Sequence, residues 1–398
     1  MTPVRLLMAA GLALVVVGCR HQAPAAPDAR PPQVRYRYGD PGDEAGRWLV
    51  EQIPKSRWDP ALLAATRELS GAASDPSARL TPTAALLATS RAGFPGDARF
   101  ARLYNGGAYP YELIADAAAA RGAAPSVDVA LASRRFSDGT VLWVLGVAPH
   151  WGDIDPFERD LRLDDPVAIQ VDVPGSRKLQ LFVAPPSGPV DTLSLSPGVA
   201  RWVDVFHLPG RYLIEVVDIG EDRSRVVFDM AVFVDEAPAP MLRLPVGIET
   251  PDPVQATAWL YQALNERRSE AGLRPVQRFE PFEPLAREHA ALMAGSGVLN
   301  HVIPGVTPGV GARAWKTHHP RAEHYEDLAA AFTASEAQDL VWSSPGHRRN
   351  LLCEHCTHAS IGVALEPATQ GPPRLYVAWE LLAFPAGEPQ PLPQHKQR

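Results

Sequence analysis

Proline occupies 41 of the 398 positions, and proline continues neither a helix nor a central strand. The prolines gather in stretches that read as loops and linkers, so the chain reads as short elements between Pro- and Gly-rich turns. At this length two or three domains are expected. A hydrophobic content of 46% is ample for packed cores and excludes a largely disordered protein. The formal net charge is -7, from 38 basic and 45 acidic residues. No basic block stands out, which argues against nucleic acid as a partner.

The N-terminus carries Arg5 and then an apolar run from Leu6 to Val17. That run suits a signal-peptide core and falls short of the roughly 20 residues of a membrane-spanning helix. It ends in Val16-Val17-Gly18-Cys19, which resembles the bacterial lipobox. The resemblance implies cleavage of residues 1–18 and lipidation of Cys19; an ordinary signal peptide with an incidental cysteine is the other reading. The mature protein is then expected in the cell envelope, held to the membrane by a lipid anchor, each buried methylene contributing ~0.8 kcal/mol. Arg20, where an aspartate favours inner-membrane retention, points to the outer membrane of a Gram-negative bacterium. Residues 19–42 are rich in Ala and Pro and read as a disordered spacer.

The fold class expected is multidomain: an N-terminal α+β region, a central immunoglobulin-like β-sandwich and a C-terminal α-β-α sandwich. Residues 43–122 read as helical, with Trp58-Asp59-Pro60 opening one helix and Gly71 near its end. Strands are expected at 127–131 and 141–147, completing a region from 43 to 150. Between 151 and 238, β-rich runs recur at 167–173, 179–183, 200–206, 212–217 and 225–234, the spacing of a small antiparallel sandwich. Leu208 to Val216 resembles the turn and strand that carry the tyrosine corner of immunoglobulin-like domains. A linker at 235–240 precedes the last domain at 242–385, and 386–398 reads as a loose tail.

The last domain carries the most specific motifs. They are LNERRSEAGLRPV at 264–276, a helix rich in Ala and His, His301 beyond its exit, Glu326 before Leu-Ala, WSSPGHRRNLL at 342–352 and IGVAL at 361–365. Together these resemble the CAP superfamily (cysteine-rich secretory, antigen 5 and pathogenesis-related proteins), in its short bacterial branch. The resemblance implies a central cleft in which His301, Glu326 and His347 converge and can hold a divalent metal, zinc or magnesium. Imidazole and carboxylate are ordinary ligands for zinc. The chain also departs from the pattern. Asn300 stands where a serine often precedes the first histidine, and Tyr325-Glu326-Asp327 replaces Gly-Glu-Asn. The place of a second glutamate falls at Pro345 or its neighbours, with Asp339 and Glu380 as substitutes. Read on a helix, the adjacent Glu326 and Asp327 do not face one another.

Cys353 and Cys356 remain once Cys19 is lipidated, and such a pair in an oxidising compartment reads first as a local disulfide. Zinc with His355 and His358, or a redox thiol pair, are the other readings. His318, His319 and His324 form a denser cluster, read as a solvated loop or a second metal-binding surface. An echo also runs upstream: VDVALASRRFSDGTVLWVLGVAP at 127–149 parallels IGVALEPATQGPPRLYVAWELLAFP at 361–385, as a degenerate repeat of the last domain would. The function expected is a binding module whose cleft takes a metal, lipid or cell-wall ligand. Metal-assisted hydrolysis of envelope peptides or glycans, with water activated on His301 and His347 and Glu326 as ligand or base, is the alternative.

Overall fold

The computed structural model describes residues 33–384 apart from 36, 76–77, 221–223, 238–241, 243, 246–251, 304, 307, 316–321 and 368–372. Cys19, the apolar run before it and the C-terminal tail lie outside the described residues, as do His318 and His319. The described residues fall within one compact unit, and none of their helices is long and apolar enough to cross a membrane.

The first described element is β1 (Gln33–Val34), inside the stretch expected to be a loose spacer. Then follow α1 (Glu44–Gln52), β2 (Ser56–Trp58), α2 (Pro60–Ala72), α3 (Pro82–Ala92), β3 (Arg99–Asn105), α4 (Glu112–Arg121), β4 (Ser126–Arg135) and β5 (Val141–His150). Asp59 explains where α2 begins: its carboxylate accepts the Ala61 and Leu62 N–H groups, and Pro60 stands where no N–H is needed. The helical reading of 43–122 misses β3, whose side chains are mostly only half-buried and show no clean alternation. β2 lies parallel to β4, and β5 runs antiparallel to both β4 and β3, giving the order β2-β4-β5-β3.

The middle of the chain contains β6 (Asp153–Ile154), β7 (Phe157–Glu158), β8 (Asp160–Leu161), β9 (Val167–Ile169), β10 (Val171–Asp172), β11 (Leu179–Ala184), β12 (Asp191–Leu195), β13 (Arg201–Val203), β14 (Gly210–Ile219) and β15 (Ser224–Val234). The largest sheet here has the order β12-β11-β14-β15-β8. β1 pairs with β7, and Val34 is buried in this core beside Leu181, Phe206 and Phe228. The Tyr212 hydroxyl accepts the Leu208 N–H at 2.9 Å, tying the Pro209-Gly210 turn to the strand. Gly210 sits at φ 134°, and a Cβ there would meet Pro186 at 2.6 Å. β12 escapes the sequence reading because it is a mostly exposed edge strand with little apolar content.

The last part contains α5 (Pro253–Glu270), β16 (Gln277–Arg278), α6 (Glu283–Ser296), α7 (Val310–Trp315), β17 (Glu323–Ala331), α8 (Ala334–Ser343), α9 (Pro345–Leu351), β18 (His358–Leu365) and β19 (Leu375–Ala383). Its sheet has the order β16-β18-β19-β17, with β16 parallel to β18 and the other neighbours antiparallel. Strand order, directions and order along the chain match those of β2-β4-β5-β3. The helices fall in corresponding places, α1 before β2 as α5 before β16, and α2 and α3 as α6 and α7.

Buried polar contacts join the three parts. Ser90 Oγ on α3 accepts the Ala231 N–H of β15 at 2.7 Å. Arg79 pairs with Glu336 of α8 at 3.0 Å, both nearly inaccessible. Leu242 and Leu244, just past the expected linker, pack into the first core beside Leu62 and Val129.

Candidate functional site

α6 lies across β18 and β19, and Gly362 permits the close approach. A Cβ at Gly362 would stand 2.1 Å from the Ala286 carbonyl carbon and 2.3 Å from the Arg287 nitrogen. The buried face of α6 carries Ala286, His289, Ala290 and Met293, and Gly297, at φ 67°, ends the helix in the left-handed conformation. The loop beyond it carries His301.

Glu326 lies on β17, not on a helix as the sequence reading had it. Its β-branch-poor neighbours (Leu328, Ala329, Ala330) have helical propensity, and pairing along β19 overrides it. On a strand, adjacent residues face opposite sides. Glu326 therefore faces α6 and α7, while Asp327 faces α9 and accepts a hydrogen bond from Asn350 at 2.8 Å. Burial raises the Asp327 carboxyl well above the usual range.

Glu380 is the cross-strand partner of Glu326. The two carboxylates share one face of the sheet, and Glu380 is wholly buried. Burial pushes its pKa up to about 8, with Arg313 and His301 acting against the rise. Arg313, on α7, contacts Glu326 Oε2 and reaches Glu380 Oε1 at 3.5 Å. His301 Nδ1 lies 2.8 Å from Glu326 Oε1, and His289 Nε2 lies 3.9 Å from Oε2. Burial and the nearby guanidinium hold both imidazoles below their ordinary pKa, His289 at about 4. The imidazoles are therefore neutral near pH 7, available to give and accept hydrogen bonds.

Of the three residues expected to converge, the structure joins His301 and Glu326 by a hydrogen bond. His347 sits in the first turn of α9 and is half-buried; burial, and then the nearby His301, push its pKa down to about 4. No hydrogen bond reaches its Nδ1 among the described residues. Glu380, weighed as a substitute for the second glutamate, does enter the cluster. Asp339 does not: it is exposed on α8, facing Arg267 and Arg211. His289 was legible only as part of a helix rich in Ala and His, and Arg313 gave no signal in the sequence.

The motif around His347 is held from outside the cleft. The Ser344 hydroxyl lies 3.2 and 3.3 Å from the two Glu215 oxygens and accepts the His347 N–H. The Gly346 N–H donates to Glu215 at 2.6 Å. Arg348 donates to the Pro185 and Gly188 carbonyls while lying over the Trp342 ring. Glu215 and both carbonyls belong to the middle of the chain, so the SPGH turn is a docking point for the middle strands. Beyond it Cys353 and Cys356 form a disulfide with Cα atoms 5.4 Å apart. The buried Arg268 guanidinium donates to the carbonyls of Leu351, Cys353 and Cys356. His355 pairs instead with Glu323, and His358 packs on Phe279 and Phe384. His324 stacks on Phe282.

The side chains as placed do not fit a divalent ion. Both Glu326 oxygens are engaged, one by His301 and one by Arg313. Among the described residues no group of three or more His, Cys, Asp or Glu is disposed to hold a metal.

The matching sheet near the N-terminus lacks this constellation. Counted from the strand ends, Phe100 and Gly146 are the cross-strand pair equivalent to Glu326 and Glu380. A Cβ at Gly146 would strike Thr66 at 2.7 Å and the Phe100 ring at 3.0 Å, so aromatic packing fills the place of the two carboxylates.

Comparison with known proteins bears on the last part of the chain. The model of the CAP, cysteine-rich secretory protein family matches residues 261–379. Comparison with curated proteins finds no match. Among solved structures, an outer surface protein of Borrelia burgdorferi is 20% identical, covering 34% of this chain and 98% of its own, with a TM-score of 0.28. An extracellular protein containing an SCP domain from Bacillus anthracis is 16% identical, covering 58% of this chain and 82% of its own, at TM-score 0.30. A cysteine-rich secretory protein from Staphylococcus aureus is 13% identical, covering 58% and 83%, at TM-score 0.26. The family match spans most of the sheet, the SPGH turn, His301, Glu326 and the disulfide, and the C-terminal part of the chain is a CAP domain of the cysteine-rich secretory protein family.

Proposed function

We propose that the protein is a cell-envelope lipoprotein whose CAP domain binds an amphiphile, an acyl chain with a polar head, at the mouth of the His301–Glu326 cleft. The observation that carries this reading is an apolar lip. Val298, Leu299, Val302 and Val306 are each 42–59% exposed, and they flank His301, itself half-exposed. Single exposed apolar residues need no explanation, but a group of them beside a polar cleft marks a binding surface. The chain of the ligand would lie on this lip, and its head would bond to the neutral His301 imidazole. Metal-assisted hydrolysis asks for a coordinated ion where the Arg313 guanidinium stands, and nothing in the cleft favours it.

The remaining parts act as support. The first sheet is read as a filled copy of the CAP fold, and the middle strands as an immunoglobulin-like spacer gripping the SPGH turn through Glu215. A disulfide suits an exported protein, as does the N-terminal apolar run.

Titration of residues 20–398, which contain every described residue, with sodium laurate below its micelle concentration tests the ligand. Micromolar binding is expected, weakened ~10-fold or more by Leu299→Asp with Val302→Asp, since each change removes apolar contact and adds charge. Equal binding by the variant would place the ligand elsewhere. The anchor has its own test. Metabolic labelling with radioactive palmitate should label the chain and leave Cys19→Ser unlabelled; label retained by the variant would refute lipidation at Cys19.

A further inference from the structure

The chemistry of the cleft poses a problem that Arg313 answers. Glu326 and Glu380 stand opposite one another on neighbouring strands, both buried, with His289 and His301 on the same side. Two buried carboxyl groups side by side cannot both ionise unless a cation lies between them. A pair of carboxylates with a pair of imidazoles is also a donor set that divalent zinc accepts. Here the position is taken from within the chain.

Arg313 Nη2 contacts Glu326 Oε2 and lies 3.5 Å from Glu380 Oε1. The same Glu326 oxygen is the one that His289 approaches. Arg313 Nη1 donates to the carbonyls of His301 at 2.9 Å and Pro308 at 2.7 Å. The guanidinium is thus fastened at both nitrogens, to the strands on one side and the His301 loop on the other. Guanidinium stays charged throughout the accessible pH range, and its planar fork is fixed. A divalent ion entering the set would meet a fixed positive charge within a few Å and would have to displace it.

We infer that Arg313 is a built-in cation that stands in for a metal among His289, His301, Glu326 and Glu380, so that the cleft excludes divalent ions while the arginine is present and becomes a zinc site when it is removed. The inference does not depend on the amphiphile reading, since its test reads zinc and not acyl chains.

The test is calorimetric titration of the chelator-stripped full chain with zinc chloride, with thermal unfolding run in parallel. The wild type is accompanied by His301→Ala, Arg313→Met, Arg313→Lys, Arg313→Met combined with Glu380→Gln, and both Arg313→Met variants with His301→Ala added. Glu380→Gln leaves a neutral side chain opposite Glu326 once the cation is gone, so that folding does not depend on zinc. Any zinc taken up by the wild type at surface histidines should be unchanged by His301→Ala. Arg313→Met, or the double variant if the single one does not fold without zinc, should gain a site at least ~10-fold tighter than any in the wild type. That site should vanish when His301→Ala is added, and zinc should raise the unfolding temperature of the variant by several degrees but not that of the wild type. Arg313→Lys, which keeps the charge, should gain none. Stoichiometric zinc binding by the wild type that His301→Ala abolishes would overturn the inference, and so would a folded double variant that gains no site.

Discussion

Gly362→Ala is expected to destabilise the CAP domain by about 3 kcal/mol or more. The added methyl carbon would stand 2.1 Å from the Ala286 carbonyl carbon, 2.3 Å from its oxygen and 2.3 Å from the Arg287 nitrogen. All three are backbone atoms of α6, so no side-chain rotation relieves the overlap. The helix must lift away from β18, which opens the core around Met293 and Tyr376 and carries His289 away from Glu326. Inserting volume into a well-packed site costs about 1–3 kcal/mol even where side chains can yield, and here only backbone can move. Urea unfolding followed by tryptophan fluorescence measures it. A midpoint within the error of the wild type would show that α6 does not lie against β18 as described.

Raising the pH from 6.5 to 8.5 is expected to cost about 2 kcal/mol of stability, assigned mainly to Glu380 and Glu215. Burial pushes Glu215 up to about 7 and Glu380 to about 8, against an ordinary value of 4.5. In the folded state both keep their protons to higher pH than in the unfolded chain. Their contribution is therefore fully present below 4.5 and is lost as pH rises through 7 and 8. The buried histidines act in the opposite direction. His289 and His347, pushed down to about 4, add about 0.4 kcal/mol each as pH rises from 6.5 to 7.5 and the unfolded imidazoles lose their remaining protons; above 7.5 the carboxyl effect stands alone. Burial, and then Glu215 opposite it on β15, also raises Asp229, which adds to the trend. Glu215→Gln should flatten part of the slope above pH 7 while keeping an acceptor for the Gly346 N–H. A stability that rises across this interval, or an unaltered slope in Glu215→Gln, would contradict these placements.

Much of the CAP domain was legible because its signals are local. The Ser-Pro-Gly-His turn is a helix start with its cap and first-turn proline, and Ser344 and Pro345 take those roles. The cysteine pair needed only its spacing. Glu326 was placed in the cleft but on the wrong element, because a run of Leu and Ala has helical propensity that only pairing with β19 overrides. Glu380 lay in an apolar strand where a glutamate looks anomalous; its meaning comes from register with Glu326, which no local pattern encodes. Arg313 was invisible for the same reason, being brought to the cleft by the path of the His301 loop. Arg268 stands in the LNERRSEAGLRPV motif with nothing to mark it for burial, although its guanidinium is buried and holds the disulfide loop. The parallel between 127–149 and 361–385 was visible as two similar hairpins, while the matching strand order needed β3, which the sequence hid.

The reading that the cleft mouth takes an amphiphile is tested most directly by imidazole resonances. Long-range nitrogen–proton NMR of residues 20–398, titrated with sodium laurate, separates the histidines and reports which ones a ligand touches. Saturable shifts are expected at His301, smaller ones at His289 behind it, and none at His358, which is packed between Phe279 and Phe384. Unmoved His301 resonances at saturating laurate would contradict it.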